Sequence, residues 1–269
     1  MTPSKSNRSK LSRKIAVLAC SVSVLCLSPS AWAADRTKQN NTTNLNLTGS
    51  WSGGVPDRSN MAVWTNAVTG PNTSLLGGNV NWQGIRIANP GGAITIGPGN
   101  TLTLDAGAAG TSIDMSAATQ DLTIQSGFTI RSAVGQLWNI GTGRTLTLNT
   151  GTFTRGAGAT LLVQGVGSVV TTMPNLSSGS LVNGLIGPWA VIGAGTLASY
   201  ATINGSDTIV AYTGGTAAAT GANVTDTTGL LNYDVAAVGA LGAGASVNTL
   251  RYTGAAGTIT GNFTANGLL

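Results

Sequence analysis

Three aspartates in the middle of the chain, Asp105, Asp114 and Asp121, are the side chains best placed to do chemistry. Arg131, Arg144 and Arg155 follow them closely. Clustered carboxylates with a basic partner perform the acid–base work of polysaccharide lyases and glycosidases, where one group delivers a proton and another accepts one or attacks. The competing reading places each Asp at a turn or strand end, accepting backbone N–H groups. That second reading is preferred here, so no catalytic residue is assigned. Other chemistries lack their residues. The chain contains no His and no Glu, and its two cysteines are Cys20 and Cys26. Ser-His-Asp and Cys-His catalysis and histidine metal sites are therefore impossible. No loop converges enough carboxylates for Ca²⁺. Gly141-Thr-Gly-Arg144 and Gly239-Ala-Leu-Gly-Ala-Gly244 lack the Lys-Ser/Thr of a phosphate loop and read as turns. Trp51, Trp82, Trp138 and Trp189 could stack on sugars if exposed, but aromatics in such repeats are expected in the core or at a cap. No cofactor-binding or metal-binding residue is assigned either.

Those aspartates lie among short alternating strands. Thr101-Leu-Thr-Leu-Asp-Ala-Gly107, Asp121-Leu-Thr-Ile-Gln-Ser-Gly127 and Thr145-Leu-Thr-Leu-Asn-Thr-Gly151 are near-copies of one phrase. Each alternates polar and apolar residues and then turns at Gly, the pattern of a strand with one buried face. Short strands recur from Val80 to Val163 with Gly-rich turns at Asn89-Pro-Gly-Gly92 and Gly97-Pro-Gly-Asn100. The spacing predicts two or three strands per coil of about 22 residues, stacked as a parallel β-helix. An antiparallel sandwich also gives evenly spaced strands. The lack of Asn-Gly and Asp-Gly hairpin turns between 80 and 170 favours coils. The fold class expected is all-β: a parallel β-helix or solenoid with a small antiparallel insert, behind an N-terminal signal peptide.

Composition supports strands over helices. Charged residues make up 8% and Gly 39 of 269 residues, so the Glu- and Lys-rich faces of surface helices are missing. The formal charge of +5 is no nucleic-acid footprint. Lys5, Arg8, Lys10, Arg13 and Lys14 all precede the apolar run Ile15–Leu27, which leads to Ala31-Trp-Ala33-Ala-Asp35. That order marks a cleavable secretory signal over residues 1–34. Beyond it the charges balance, 13 − 5 basic residues against 8 Asp, and no basic face remains for phosphates. The apolar run is too short to cross a bilayer, so the mature chain is expected to carry no transmembrane segment and no cysteine.

Five segments follow. Residues 1–34 are the signal. Residues 35–80 are a flexible leader and an N-terminal cap. Residues 81–171 are the solenoid module. Residues 172–246 hold an antiparallel insert, with a hairpin at Asn204-Gly-Ser-Asp207, and a Gly/Ala/Thr-rich connection. Residues 247–269 open a second module, cut short at Leu269, in which Arg251 aligns with Arg86.

Four features together resemble the bacterial autotransporter-associated β-strand repeat family. They are Trp51-Ser-Gly-Gly-Val-Pro-Asp57, the Asn-to-Arg strand openings at 81–86 and 248–251, the Gly187-Pro-Trp-Ala190 to Ala198-Ser-Tyr-Ala-Thr-Ile-Asn-Gly205 insert, and the Thr-Leu-Thr-Leu phrases. The resemblance covers most of residues 48–269. It implies a parallel β-helical passenger, exported and then held at the cell surface or outer membrane or released outside; the signal segment, which lacks a twin-Arg pair, points to the general secretory route. The family's C-terminal membrane barrel has no counterpart in this sequence. The function expected is a non-enzymatic structural or adhesive module. Its expected partners are a host-cell or matrix surface, polysaccharide or neighbouring solenoid modules, without nucleic acid. The alternative is a secreted β-helix that binds or cleaves polysaccharide, whose cleaving form requires two or more of Asp105, Asp114 and Asp121 to converge with an arginine in an exposed groove.

Overall fold

A computed structural model of the chain describes residues 35–107 and 110–269. The expected signal at 1–34 lies outside the described residues. Alternation governs the local structure. In Thr101–Leu104, Leu122–Ile124 and Thr145–Leu148 the Leu and Ile side chains are fully buried and each Thr is half-exposed. Each strand thus has one apolar face, which it hides by turning a corner and stacking on the coil before it.

The result is a β-solenoid with three parallel faces. The widest contains Met61–Trp64, Gly84–Ile87, Thr111–Met115, Gly135–Ile140, Thr160–Gly165 and Ala190–Ile192. A second face stacks Asn72–Ser74, Ile94–Ile96, Leu122–Ile124, Thr145–Leu148 and Ser168–Thr171. The third stacks Val80–Trp82, Thr101–Leu104, Gly127–Ile130 and Phe153–Arg155. Inward side chains from all three form one continuous core, from Leu45 to Ile209.

Register corrects one expectation. The three near-copies do not stack on one another as a set. Thr101–Leu104 lies on the third face and pairs with Gly127–Ile130. The phrases at 121 and 145 do stack, on the second face, where Ile94, Leu122, Leu146 and Val169 form one inward file. Coil lengths along that file are 28, 24 and 23 residues (122 − 94, 146 − 122, 169 − 146). The spacing of 20 between the first two phrases therefore measures a step between faces, not a coil. Period-two alternation marks a strand as half-buried but says nothing about which face it joins.

The N-terminal leader is ordered, against expectation. Arg36–Lys38 joins the wide sheet between Met61–Trp64 and the antiparallel strand Trp51–Ser52. Leu45 and Trp51 close the end of the core. The Trp51 ring meets Trp64 edge-on at 5.3 Å and Trp82 at 5.6 Å. These strands and rings shield the first coil's edge and its apolar interior, which an open solenoid end would expose.

Beyond Thr171 the chain adds Ala190–Ile192 in parallel to the wide face. It then reverses through Ser199–Ile203 and Ile209–Ala211, an antiparallel pair joined by the hairpin at 204–208. The segment read as a Gly/Ala/Thr-rich connection contains strands of its own. Thr216–Ala218 pairs in parallel with Asn232–Val235, that strand with Ser246–Tyr252, and Ser246–Tyr252 with Thr264–Leu268. Gly239–Ala240 and Ile259–Thr260 form a narrow second face. Parallel stacking therefore resumes at Thr216, and Ser246–Tyr252 is the third strand of this sheet. Its coils are short, 17, 17 and 18 residues (233 − 216, 250 − 233, 268 − 250). They enclose a small separate core around Val224, Tyr233, Val235 and Leu250.

Candidate functional site: ion pairs and an outer groove

The three candidate aspartates occupy three different faces. Asp105 follows the third-face strand Thr101–Leu104 and is only 5% exposed. Arg58 Nε donates to it at 2.7 Å and Arg131 Nη1 at 2.6 Å, so one carboxylate joins three successive coils. Asp114 lies on the wide face, directly across from Arg86 in the preceding coil. Arg86 Nε donates to it at 3.0 Å, and the Ser116 hydroxyl and N–H donate at 2.6 and 3.1 Å. Burial raises the Asp114 pKa, but those donors outweigh it and hold the carboxyl below its ordinary value. Asp121 precedes the second-face strand and accepts the Thr145 N–H at 3.0 Å, with Arg144 Nη1 at 3.4 Å.

Asp105, Asp114 and Asp121 thus fail to converge. Asp105 is held by two arginines, and Asp114 and Asp121 by one arginine each together with neighbouring hydroxyl or backbone donors. Arg155 takes a fourth course: its Nε donates to Ala159 O at 2.9 Å and its guanidinium stands 5.0 Å from the Trp189 ring centre. Among the described residues no three acidic side chains gather into a metal-holding group.

The tryptophans divide similarly. Trp82 and Trp138 are fully buried and Trp51 is 2% exposed, so none offers a face to a sugar. Trp189 is half-buried and stacks at 6.1 Å and 10° on Phe153, the last inward side chain of the third face. It caps that file of side chains.

Sequence reasoning missed the most distinctive surface feature. A groove of about 520 Å³ runs along the outside of the wide face, walled by Pro188, Trp189 and Leu268. Its floor is an apolar rung: Leu137, Leu162 and Val191 lie in register on three successive coils. These side chains point away from the core, on a face whose other outward positions include Arg86, Asp114, Asn139 and Gln164. Gly110 and Gly135 also line the groove and contribute no side chain, while Thr160 lies in register beside Gly135. A signal was present: Leu137-Trp138, Leu161-Leu-Val163 and Ala190-Val-Ile192 break strict alternation by placing apolar residues on both faces. A volume of this order suits a drug-sized ligand or a peptide side-chain cluster.

Fold and surface together define a stacked β-solenoid with cross-coil ion pairs and an apolar outer groove. Comparison with family models, with curated proteins and with solved structures returns no match. The likeness to autotransporter-associated repeats is carried by the quoted residues alone. Among the described residues no helix is long and apolar enough to cross a membrane.

Proposed function

We propose that this protein is an exported, non-enzymatic β-solenoid passenger, serving as a structural or adhesive module at the cell surface or outside the cell. The observation that carries the reading is the Leu137–Leu162–Val191 rung. Three outward apolar side chains stacked on a rigid sheet form a pre-ordered contact surface, and pre-ordering lowers the entropic cost of binding. Solvent-facing apolar groups collected in one groove mark interaction sites on otherwise polar surfaces. Export is supported by the charged, apolar and small-residue order of residues 1–34. The dispersal of Asp105, Asp114 and Asp121 removes the support on which a polysaccharide-cleaving reading depended.

The test has two parts. Protein produced in an exporting bacterial host is expected outside the cytoplasm with its N-terminus near Asp35, as read by mass spectrometry. Beads coated with the purified protein are then passed over immobilised extracellular-matrix protein and over polysaccharide. Retention is expected to fall at least fivefold for Leu162→Asp. Retention of the protein in the cytoplasm, or equal adhesion by Leu162→Asp, would sink the proposal.

A further inference from the structure

We propose that Asn204 is a site of spontaneous covalent modification: its carboxamide closes onto the backbone nitrogen of Gly205, releases ammonia, and opens with water to aspartate or isoaspartate. Three Asn-Gly pairs occur in the chain, at 183–184, 204–205 and 266–267. Glycine leaves the attacking nitrogen unshielded and the backbone free to turn, so such pairs are the reactive ones. The fold treats the three differently. Asn183 sits at φ 51° in a two-residue turn, closed by bonds in both directions between Val182 and Leu185. Its carbonyl accepts Asn232 Nδ2 at 2.8 Å, and ring closure would rotate that carbonyl away. A Cβ on Gly184 would stand 2.9 Å from the Tyr212 ring, so this turn is also packed. Asn266 lies within Thr264–Leu268, paired with Ser246–Tyr252, and its amide is bonded to Asn248 at 3.3 Å.

Asn204 is arranged for the reaction. It opens the exposed hairpin between Ser199–Ile203 and Ile209–Ala211 and precedes the residues that bend. Its Oδ1 accepts the Ser206 N–H at 2.9 Å and the Thr208 N–H at 3.0 Å. The first of these bonds makes an Asx turn, which folds the carboxamide carbon back beside the Gly205 nitrogen. Both bonds lie where charge develops. Attack on Cγ drives the carbonyl electron pair onto Oδ1, and two fixed N–H donors stabilise it there. Gly205 is exposed with open space around it, and its N–H meets no acceptor among the described residues, so solvent can take the proton. The N–Cγ bond forms and the Cγ–Nδ2 bond breaks. Nδ2 leaves as ammonia, gaining the equivalent of the proton lost from Gly205. Water then adds to one of the two imide carbonyls, giving aspartate or isoaspartate. Aspartate keeps both acceptor bonds, whereas isoaspartate adds a methylene to the main chain. This hairpin is tied to the second face: the Thr171 N–H donates to Asp207 O at 2.8 Å, and Val170 bridges to Thr208. Isoaspartate at position 204 therefore loosens the seal over Ser168–Thr171.

Ageing the purified protein in mildly alkaline buffer, with and without urea, decides the matter. Digests are read by mass spectrometry with fragmentation that separates aspartate from isoaspartate. In the folded protein Asn204 is expected to convert at least tenfold faster than Asn183 or Asn266, through an intermediate lighter by the mass of ammonia. In urea the three rates are expected to converge. Gly205→Val, which shields the nitrogen, is expected to slow conversion at least tenfold with an unchanged melting curve. If that variant unfolds, Gly205→Ala replaces it. Deuterium exchange across Ser168–Thr171 is expected to quicken at least fivefold in converted protein and to keep its starting rate in Asn204→Asp. No conversion at Asn204, or equal rates at the three sites in the folded protein, overturns the proposal. A preference for Asn204 that persists undiminished in urea also overturns it, because local sequence then selects the site. Unchanged exchange in converted protein overturns the hairpin's role in sealing the second face.

Discussion

Asp234 and Arg251 face each other in register on adjacent coils, and Arg251 Nη2 and Nε donate to the two carboxylate oxygens at 2.7 and 2.8 Å. Arg86 and Asp114 hold the same cross-coil relationship in the first stack. In both places, charges on neighbouring coils neutralise each other along the stacking direction. Arg251 and Asp234 keep about a quarter of their surface exposed. Arg251→Ala is therefore expected to cost about 1 kcal/mol. Asp105 is nearly buried between Arg58 and Arg131, and Asp105→Ala is expected to cost more, about 2 kcal/mol. Urea unfolding of both variants measures the order. A larger loss for Arg251→Ala would contradict it.

Lys38 gives stability an alkaline pH dependence. Its side chain is fully buried at the N-terminal end, and Nζ donates to Gln39 O, Asn41 O and Asn41 Oδ1 at 2.9, 2.6 and 2.9 Å. Those oxygens favour the ammonium form, but burial prevails and lowers the pKa from 10.5 to about 8. Between these values the unfolded chain binds a proton that the folded chain releases. Stability therefore rises from pH 8 to 10.5, by about 3 kcal/mol. Lys38→Met should flatten the rise in unfolding curves recorded across that window. Asp114 acts on the acid side with the opposite sense. Its lowered pKa adds stability that is present above 3.8 and lost as pH falls through the folded value.

Two buried tryptophans differ in one hydrogen bond. Trp51 Nε1 donates to Leu45 O at 2.7 Å, whereas Trp82 Nε1 has no partner among the described residues. Replacement by Phe removes similar ring volume at both sites. At Trp51 it also orphans the Leu45 carbonyl, while at Trp82 it removes an unsatisfied N–H. Trp51→Phe is thus expected to cost about 1–2 kcal/mol more than Trp82→Phe, as thermal melts would show.

Gly165 ends a wide-face strand at φ +95°, and a Cβ there would run into the Ile140 carbonyl of the preceding coil. Gly99 has a similar φ of +86° but open space around it. Gly99→Ala should cost about 1 kcal/mol, the backbone term alone. Gly165→Ala should cost at least twice that, since the coils must part. Equal losses would show that coil contact at this corner is loose.

Much of the fold could be read from Leu102, Leu104, Leu122, Ile124, Leu146 and Leu148. Alternation identified each as inward-facing, and the structure buries all six completely. The coil assignment was less legible. Leu102 and Leu122 occupy near-identical phrases yet sit on different faces, because a coil can absorb several extra residues in its corners without disturbing its strands. The ordering of Arg36–Lys38 was hidden because its polar side chains resemble a leader, and only the sheet gives them partners. Strands such as Thr216–Ala218 carry too few large apolar side chains to mark a period. The groove was visible only as broken alternation at Leu137, Leu162 and Val191, whose alignment depends on unequal coil lengths.

The sequence by itself determined that this chain is all-β, stacked in coils, free of His and Glu, and near-neutral beyond its basic N-terminus. Those properties follow from residue type and local period, which act over a few residues. Tertiary structure decided which strands share a face, which carboxylate meets which arginine, and where apolar side chains gather outside the core. These depend on register between coils, and register is set by the packing of inward side chains and the corner geometry of each turn. That is why Asp105, Asp114 and Asp121, close in sequence, sit on three separate faces, while Leu137, Leu162 and Val191, tens of residues apart, form one rung.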